Sequence, residues 1–247
     1  IKKTQTKTTM KKLTAAILLI TLIAGFSSCR KEVIGEGPIS TEARSITNFS
    51  SIDLRMNGNV YFSQENNWKV EVTAKESIHS ILETIVVNNN LVIKYRNGRT
   101  YDEDASIRIN VSGPAVNSFM LNTSGNIICT NDIMANNLFL RTSGSGDIVL
   151  QKVIAGNIDA ESTVSGRITS TGGVVTNEKL KTNGSGKIDL SAMAANNVWA
   201  RTIGSGDIKV RVSDHLDATI DGSGSVYFRG HPQVSTHIHG SGDVIRF

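Results

Sequence analysis

Cysteine is nearly missing from this chain. With only Cys29 and Cys129 present, no disulfide framework can hold the fold, and stability must come from hydrogen bonding and packing. A membrane-spanning run is missing too: the one long apolar stretch, Leu13 to Phe26, is shorter than the ~20 residues a helix needs to cross a bilayer. A basic excess vanishes once the first 28 residues are set aside. They hold five lysines and no acid, and removing those five from 26 basic residues leaves 21 against 22 acidic ones. The formal charge of +4 therefore belongs to a leader segment, and the electrostatic case for a nucleic-acid partner disappears.

What is present begins with that leader. Met10, Lys11 and Lys12 precede the apolar run, and Ser27, Ser28 and Cys29 follow it. A positive flank, an apolar stretch and small residues before a break are the anatomy of a secretory signal over 10–28. Cys after two small residues is similar to the lipobox of bacterial lipoproteins, which implies lipidation at Cys29 and a membrane partner through that anchor. Residues 1–9 read as translated upstream sequence, and 29–44, with Gly35, Gly37 and Pro38, as a tether. Over 45–116 apolar alternations such as Ile52, Leu54, Met56 and Leu91, Ile93, Tyr95 predict strands in an N-terminal β-rich part. Lys75 to Val87 fits either a helix or a strand.

From residue 117 to 247 a repeat takes over. Asn117, Asn137, Asn157, Asn177 and Asn197 recur at a period of 20. Three residues after each come Met120, Leu140, Ala160, Leu180 and Ala200, and eleven after come Ile128, Ile148, Ile168, Ile188 and Ile208. These columns face a core. Between them runs Ser143-Gly-Ser-Gly-Asp-Ile148, echoed at Val164–Ile168, Asn183–Ile188 and Ile203–Ile208, and then at a period of 18 at Asp221–Val226 and His239–Val244. Head-to-tail repetition predicts an all-β, parallel β-helix-like solenoid with coils of 18–20 residues, whose strands pair from coil to coil at about 4.8 Å. A sandwich with Gly-rich hairpins is the alternative, and it would give irregular spacing. The column Gly146, Gly166, Gly186, Gly206, Gly224, Gly242 marks a corner that needs positive φ or the absence of a Cβ. Thr142, Ser162, Thr182 and Thr202 should stack as a ladder beside it.

These Gly-Ser-Gly-Asp-Ile/Val coils, preceded by Phe49-Ser-Ser-Ile-Asp-Leu-Arg-Met-Asn-Gly-Asn-Val60, resemble the autotransporter-adhesin head, or GIN, domain of Bacteroidota lipoproteins over roughly residues 46–247. The resemblance implies a single-chain parallel β-helix and an adhesin displayed on the bacterial envelope, with outer-membrane location; it carries no catalytic residues. The copy Thr123-Ser-Gly-Asn-Ile127 sits one residue out of column.

Calcium is suggested by Gly-Ser-Gly-Asp, but Asp147, Arg167, Lys187, Asp207, Ser225, Asp243 places two cations where oxygens must converge. That column, and Arg141, Glu161, Lys181, Arg201 beside it, read as exposed charge ladders. His215, His231, His237 and His239 read as solvated side chains more readily than as zinc ligands. The expectation is no metal and no cofactor. Coils without insertions leave nowhere to build a cleft, Asp147, Asp159, Asp189 and Asp207 form no carboxylate pair, and Gly-Ser-Gly lacks the spacing of a nucleophile elbow. Cys129 reads as a plain strand residue. The chain is thus expected to be a non-enzymatic adhesin or binding module for glycan or extracellular protein. A carbohydrate-active enzyme and a purely structural envelope protein are the alternatives. Phe119, Phe139 and Trp199 share one column and are expected to pack under the N-terminal region rather than stack on sugar.

Overall fold

In a strand, apolar residues at every second position line one face, and in this chain those faces close on one another as a parallel β-solenoid. A computed structural model describes residues 31–33, 35–96, 99–101 and 107–247. Residues 1–9, the signal segment 10–28 and Cys29 lie outside the described residues. Each coil has three faces. The first is formed by 137–142, 157–162, 177–182, 197–202, 215–220 and 233–238, in parallel register. The second is formed by 148–150, 168–170, 188–190, 208–210, 226–228 and 244–246, and the third by 133–135, 153–155, 173–175 and 193–195. Ile148–Val164 and Arg167–Gly184 run as single bent strands from the second face, through the third, to the first face of the next coil. The solenoid makes about six turns.

The predicted core columns are interior. Leu140, Ala160, Leu180, Ala200, Ile148, Ile168, Ile188 and Ile208 are all buried. Each Ile or Leu contributes roughly 1.5–3 kcal/mol by leaving water. The first copy differs. Ser118 lies against Phe139 and Ile127 against Ile148, a register of 21 instead of 20, so Asn117, Met120 and Ile128 leave the columns that periodicity assigned them. Phe119 and Ile127 fill the core there. Later, the shortening from 20 to 18 falls on the third face, where pairing changes between Ala195 and Asn197.

At the corner the two glycines of Gly-Ser-Gly act differently. The second has an ordinary φ, but a Cβ would collide with the coil before: at Gly206 it would lie 2.3 Å from the Gly186 carbonyl oxygen. The first has positive φ in the later copies, as at Gly184 (113°) and Gly204 (102°) though not at Gly144, and in the same column Val164 carries φ 121°. The hydroxyl column is buried and in register. Its bonds, however, go to the corner backbone: Thr142 Oγ1 donates to the Gly146 carbonyl at 3.2 Å and Ser162 Oγ to that of Gly166 at 2.7 Å.

The N-terminal β-rich part belongs to the same stack, and one core cluster runs from Phe49 to Phe228. Its order is not that of the chain. Ser51–Leu54 pairs in parallel with Asn90–Tyr95 on one side and Ser118–Leu121 on the other, and Asn59–Gln64 does the same between Arg108–Gly113 and Asn126–Cys129. The first coil in sequence is therefore clamped between the second and third. The intervening segment leaves the stack and covers its edge, with Lys69–Lys75 antiparallel to Arg108–Gly113 and Leu82–Val87 antiparallel to Asn90–Tyr95. Of the stretch 75–87 only Glu76–His79 is helical; β-branched Ile85, Val86 and Val87 favour the strand that follows. The tether reading of 29–44 also needs correction. Ile39–Arg44 is a strand antiparallel to Lys69–Lys75, whose edge offers backbone partners, and Lys31–Val33 pairs with Arg99–Tyr101.

Two substitutions at the corner should have opposite signs. Gly206→Ala forces neighbouring backbone apart and should cost roughly 2–4 kcal/mol. Val164→Gly relieves a β-branched residue at positive φ and should stabilise by about 1 kcal/mol. Urea denaturation measures both, and a destabilised Val164→Gly would contradict the assigned strain.

Candidate functional site

The period-20 asparagines form a ladder on the first face. Asn157 Nδ2 donates to Asn137 Oδ1 at 2.8 Å, Asn177 to Asn157 at 2.9 Å and Asn197 to Asn177 at 3.0 Å, and His215 Nδ1 meets Asn197 Oδ1 at 3.1 Å. Two residues on, the outward column reads Phe139, Asp159, Lys179, Trp199, Asp217, Ser235. Strand alternation points these side chains to solvent, so Phe139 is 50% and Trp199 49% exposed. The expected packing of these aromatics under the N-terminal region does not occur. Phe119 is not in their column: the one-residue shift turns it into the core, edge-on to Phe62 with ring centroids 5.2 Å apart.

A shallow groove of about 400 Å3 runs along this face, lined by Phe139, Asp159, Lys179 and Trp199 of the outward column and by Asn137, Asn157 and Asn177 of the ladder. Trp199 also borders a second groove of about 540 Å3 that continues toward His215, Asp217 and Ser235. Lys179 Nζ stands 3.9 Å from Asp159 Oδ2, with both side chains well exposed, so this loose pair remains open to a ligand. The neighbouring column is tighter. Glu161 takes Arg141 at 2.5 Å and Lys181 at 3.0 Å. Partial burial opposes ionisation of Glu161, but the two cations outweigh it and hold the carboxyl below its ordinary range. On the corner column Arg167 pairs with Asp147 at 2.7 Å and Lys187 with Asp207 at 3.5 Å, as the charge-ladder reading expects.

The remaining candidates stay apart. Among the described residues no group of three His, Cys, Asp or Glu side chains converges on a point. His231 meets Arg246 and His239 meets Asp221. Cys129 is fully buried and free, and burial pushes its thiol pKa up. Among the described residues no helix is long and apolar enough to cross a membrane.

Glu178 escaped the sequence reading. It falls in the column Leu138, Ile158, Glu178, Val198, Leu216, turned inward between Asn177 and Lys179. It is 0% exposed and neither carboxylate oxygen has a hydrogen-bond partner. Burial pushes its pKa to about 8. The detectable signal was a lone acid in an otherwise apolar column one residue after the ladder asparagine.

A family profile described as "Putative auto-transporter adhesin, head GIN domain" matches residues 48–232. The fold is similar to that of a putative adhesin from Bacteroides fragilis, with 22% identity and a TM-score of 0.83 over 87% of this chain and 100% of that one. It is also similar to a putative lipid binding protein from Parabacteroides distasonis (23%, TM-score 0.75, 88% and 100%) and a putative adhesin from Parabacteroides merdae (21%, TM-score 0.74, 87% and 99%). At these identities the likeness establishes the fold. No curated protein sequence matches the chain.

Glu178 generates a pH prediction. Its folded pKa of about 8 lies above the ordinary 4.5, so the folded state keeps a proton that the unfolded state releases. Stability should therefore fall as pH rises from about 4.5 to about 8, by roughly 3–5 kcal/mol from this group. Glu178→Leu should remove that slope and be the more stable protein at pH 8. Denaturation of both proteins at pH 5 and pH 8 provides the check, and an unchanged slope in Glu178→Leu would assign it to other groups.

Proposed function

The chain belongs to the putative auto-transporter adhesin head GIN domain family, and from that premise we propose that it is a lipid-anchored surface adhesin that binds its ligand on the first face of the solenoid. The observation that carries this reading is the pair of half-exposed aromatics, Phe139 and Trp199, which bracket a loose ion pair in one column alongside an amide ladder. Exposed aromatics on a rigid polar surface are what recognition of glycan or protein requires. The signal-like segment before Cys29 supports anchoring there, which would hold the solenoid at the bacterial envelope, on the outer membrane.

The binding reading is favoured over catalysis by the character of the groove. It is shallow, and its one acid, Asp159, has Lys179 as its coil-to-coil neighbour. Glu178 has the raised pKa of a general acid, but its carboxylate is sealed in the core and cannot meet a ligand on the outer surface.

Two outcomes are expected. On an array of glycans and extracellular matrix proteins, Trp199→Ala and Phe139→Ala should each weaken capture about tenfold with an unchanged melting temperature; capture that ignores both substitutions would move the site elsewhere. Metabolic labelling with a palmitate analogue should be lost in Cys29→Ala, and persistent labelling would refute the anchor.

A further inference from the structure

Resting on the binding face just assigned, we propose that its ligand is an extended, neutral, β-linked glycan lying parallel to the solenoid axis, with one sugar unit over each coil from Phe139 to Trp199. The two rings stand three coils apart in one column, and coil spacing of about 4.8 Å puts them roughly 14 Å from each other. One pyranose of an extended chain has nearly the length of one coil. A tetrasaccharide would therefore set its first and last sugars on Phe139 and Trp199, and its two middle sugars over Asp159 and Lys179.

The amide ladder has the same repeat. Each inner asparagine gives one N–H and one carbonyl lone pair to its neighbours, which leaves it one donor and one acceptor for a ligand. The face thus offers the same pair of hydrogen-bonding groups at the two middle coils, Asn157 and Asn177, as a homopolymer of sugars demands. Flatness selects the linkage: a β-1,4-linked chain is an extended ribbon that can touch both rings, whereas an α-1,4-linked glucan coils away from them. Charge selects neutrality. Asp159 and Lys179 are adjacent, opposite and exposed, so together they offer hydroxyl groups an acceptor and a donor without attracting a polyanion. Binding by strand addition, the usual route for an extended peptide, uses a sheet edge, and this is a side-chain face.

Calorimetric titration of the full chain with cello-oligosaccharides and chito-oligosaccharides of two to six sugars tests the assignment. Affinity should rise about tenfold or more from trimer to tetramer and level off beyond it. Trp199→Ala should bring the tetramer down to the trimer's affinity. Malto-oligosaccharides and oligogalacturonates of equal length should bind at least about tenfold more weakly. Equal affinity for trimer and tetramer, tighter binding of the α-linked or acidic chains, or no binding of any β-linked oligomer would overturn the proposal. If no oligomer binds while the array shows Trp199-dependent capture of a protein, the binding face stands and the glycan is wrong. If Trp199 matters to no ligand, both fall.

Discussion

Everything in this fold depends on how closely one corner can approach the next. Gly146, Gly166, Gly186, Gly206, Gly224 and Gly242 each sit against the corner glycine of the preceding coil, and a Cβ at Gly146, Gly206, Gly224 or Gly242 would fall within 2.3 Å of that glycine's carbonyl oxygen. The positive-φ glycines two residues earlier form a second spine, and backbone bonds such as Gly206 N to Gly184 O at 2.9 Å and Gly224 N to Gly204 O at 3.0 Å tie the two together. A parallel ladder needs strands about 4.8 Å apart on all three faces at once. If the corners were thicker than that, the faces could not all remain paired. The glycine spines therefore set the spacing, and the apolar columns fill the interior that it defines.

Against this frame the surface charges contribute little and the interior charge opposes stability. Arg167 with Asp147 and Lys187 with Asp207 are exposed pairs worth ~0–1 kcal/mol each; the two cations are themselves coil-to-coil neighbours, and each pairs with the acid on its other side. Glu178 is the opposite case. The same register that stacks Leu138, Ile158 and Val198 carries its carboxyl into an apolar column, because a one-residue slip to expose it would turn the whole strand inside out. Leu180 and Thr182 would then lose their burial. Several buried groups outweigh one unfavourable acid.

Where a repeat is strict, structure was legible from sequence. From Asn137 onward each residue's partner in the next coil lies 20 or 18 positions ahead, apart from Ala195 with Val212, so the Ile148 to Ile208 column and the Gly146 to Gly242 corners could be placed without coordinates. Two features were not legible. The clamping of Ser51–Leu54 between Asn90–Tyr95 and Ser118–Leu121 leaves no mark, since an alternating strand reads the same whichever strand it pairs with. The register of 21 at Ser118 was hidden by the apparent match of Asn117 to the ladder, and it moved Phe119 from the aromatic column to the core. The site was half legible: its asparagines and aromatics were visible as columns, but their exposure depended on which face the strand turned outward.

The glycine corners and the candidate site are thus one construction. Loops that must order themselves on binding lose conformational entropy, whereas Phe139 and Trp199 stand on strands paired on both sides, and the amides between them are already bonded to one another. The spacing of the aromatics cannot adapt to a ligand, because it is the coil spacing, which the corners hold. Such a face discriminates by periodicity: a ligand whose own repeat matches the coil gains a contact at every step, and one whose repeat differs falls out of register within a few units. On the proposed reading, a solenoid with 20-residue coils would suit a polymer, and the two rings would mark the length over which the match is read.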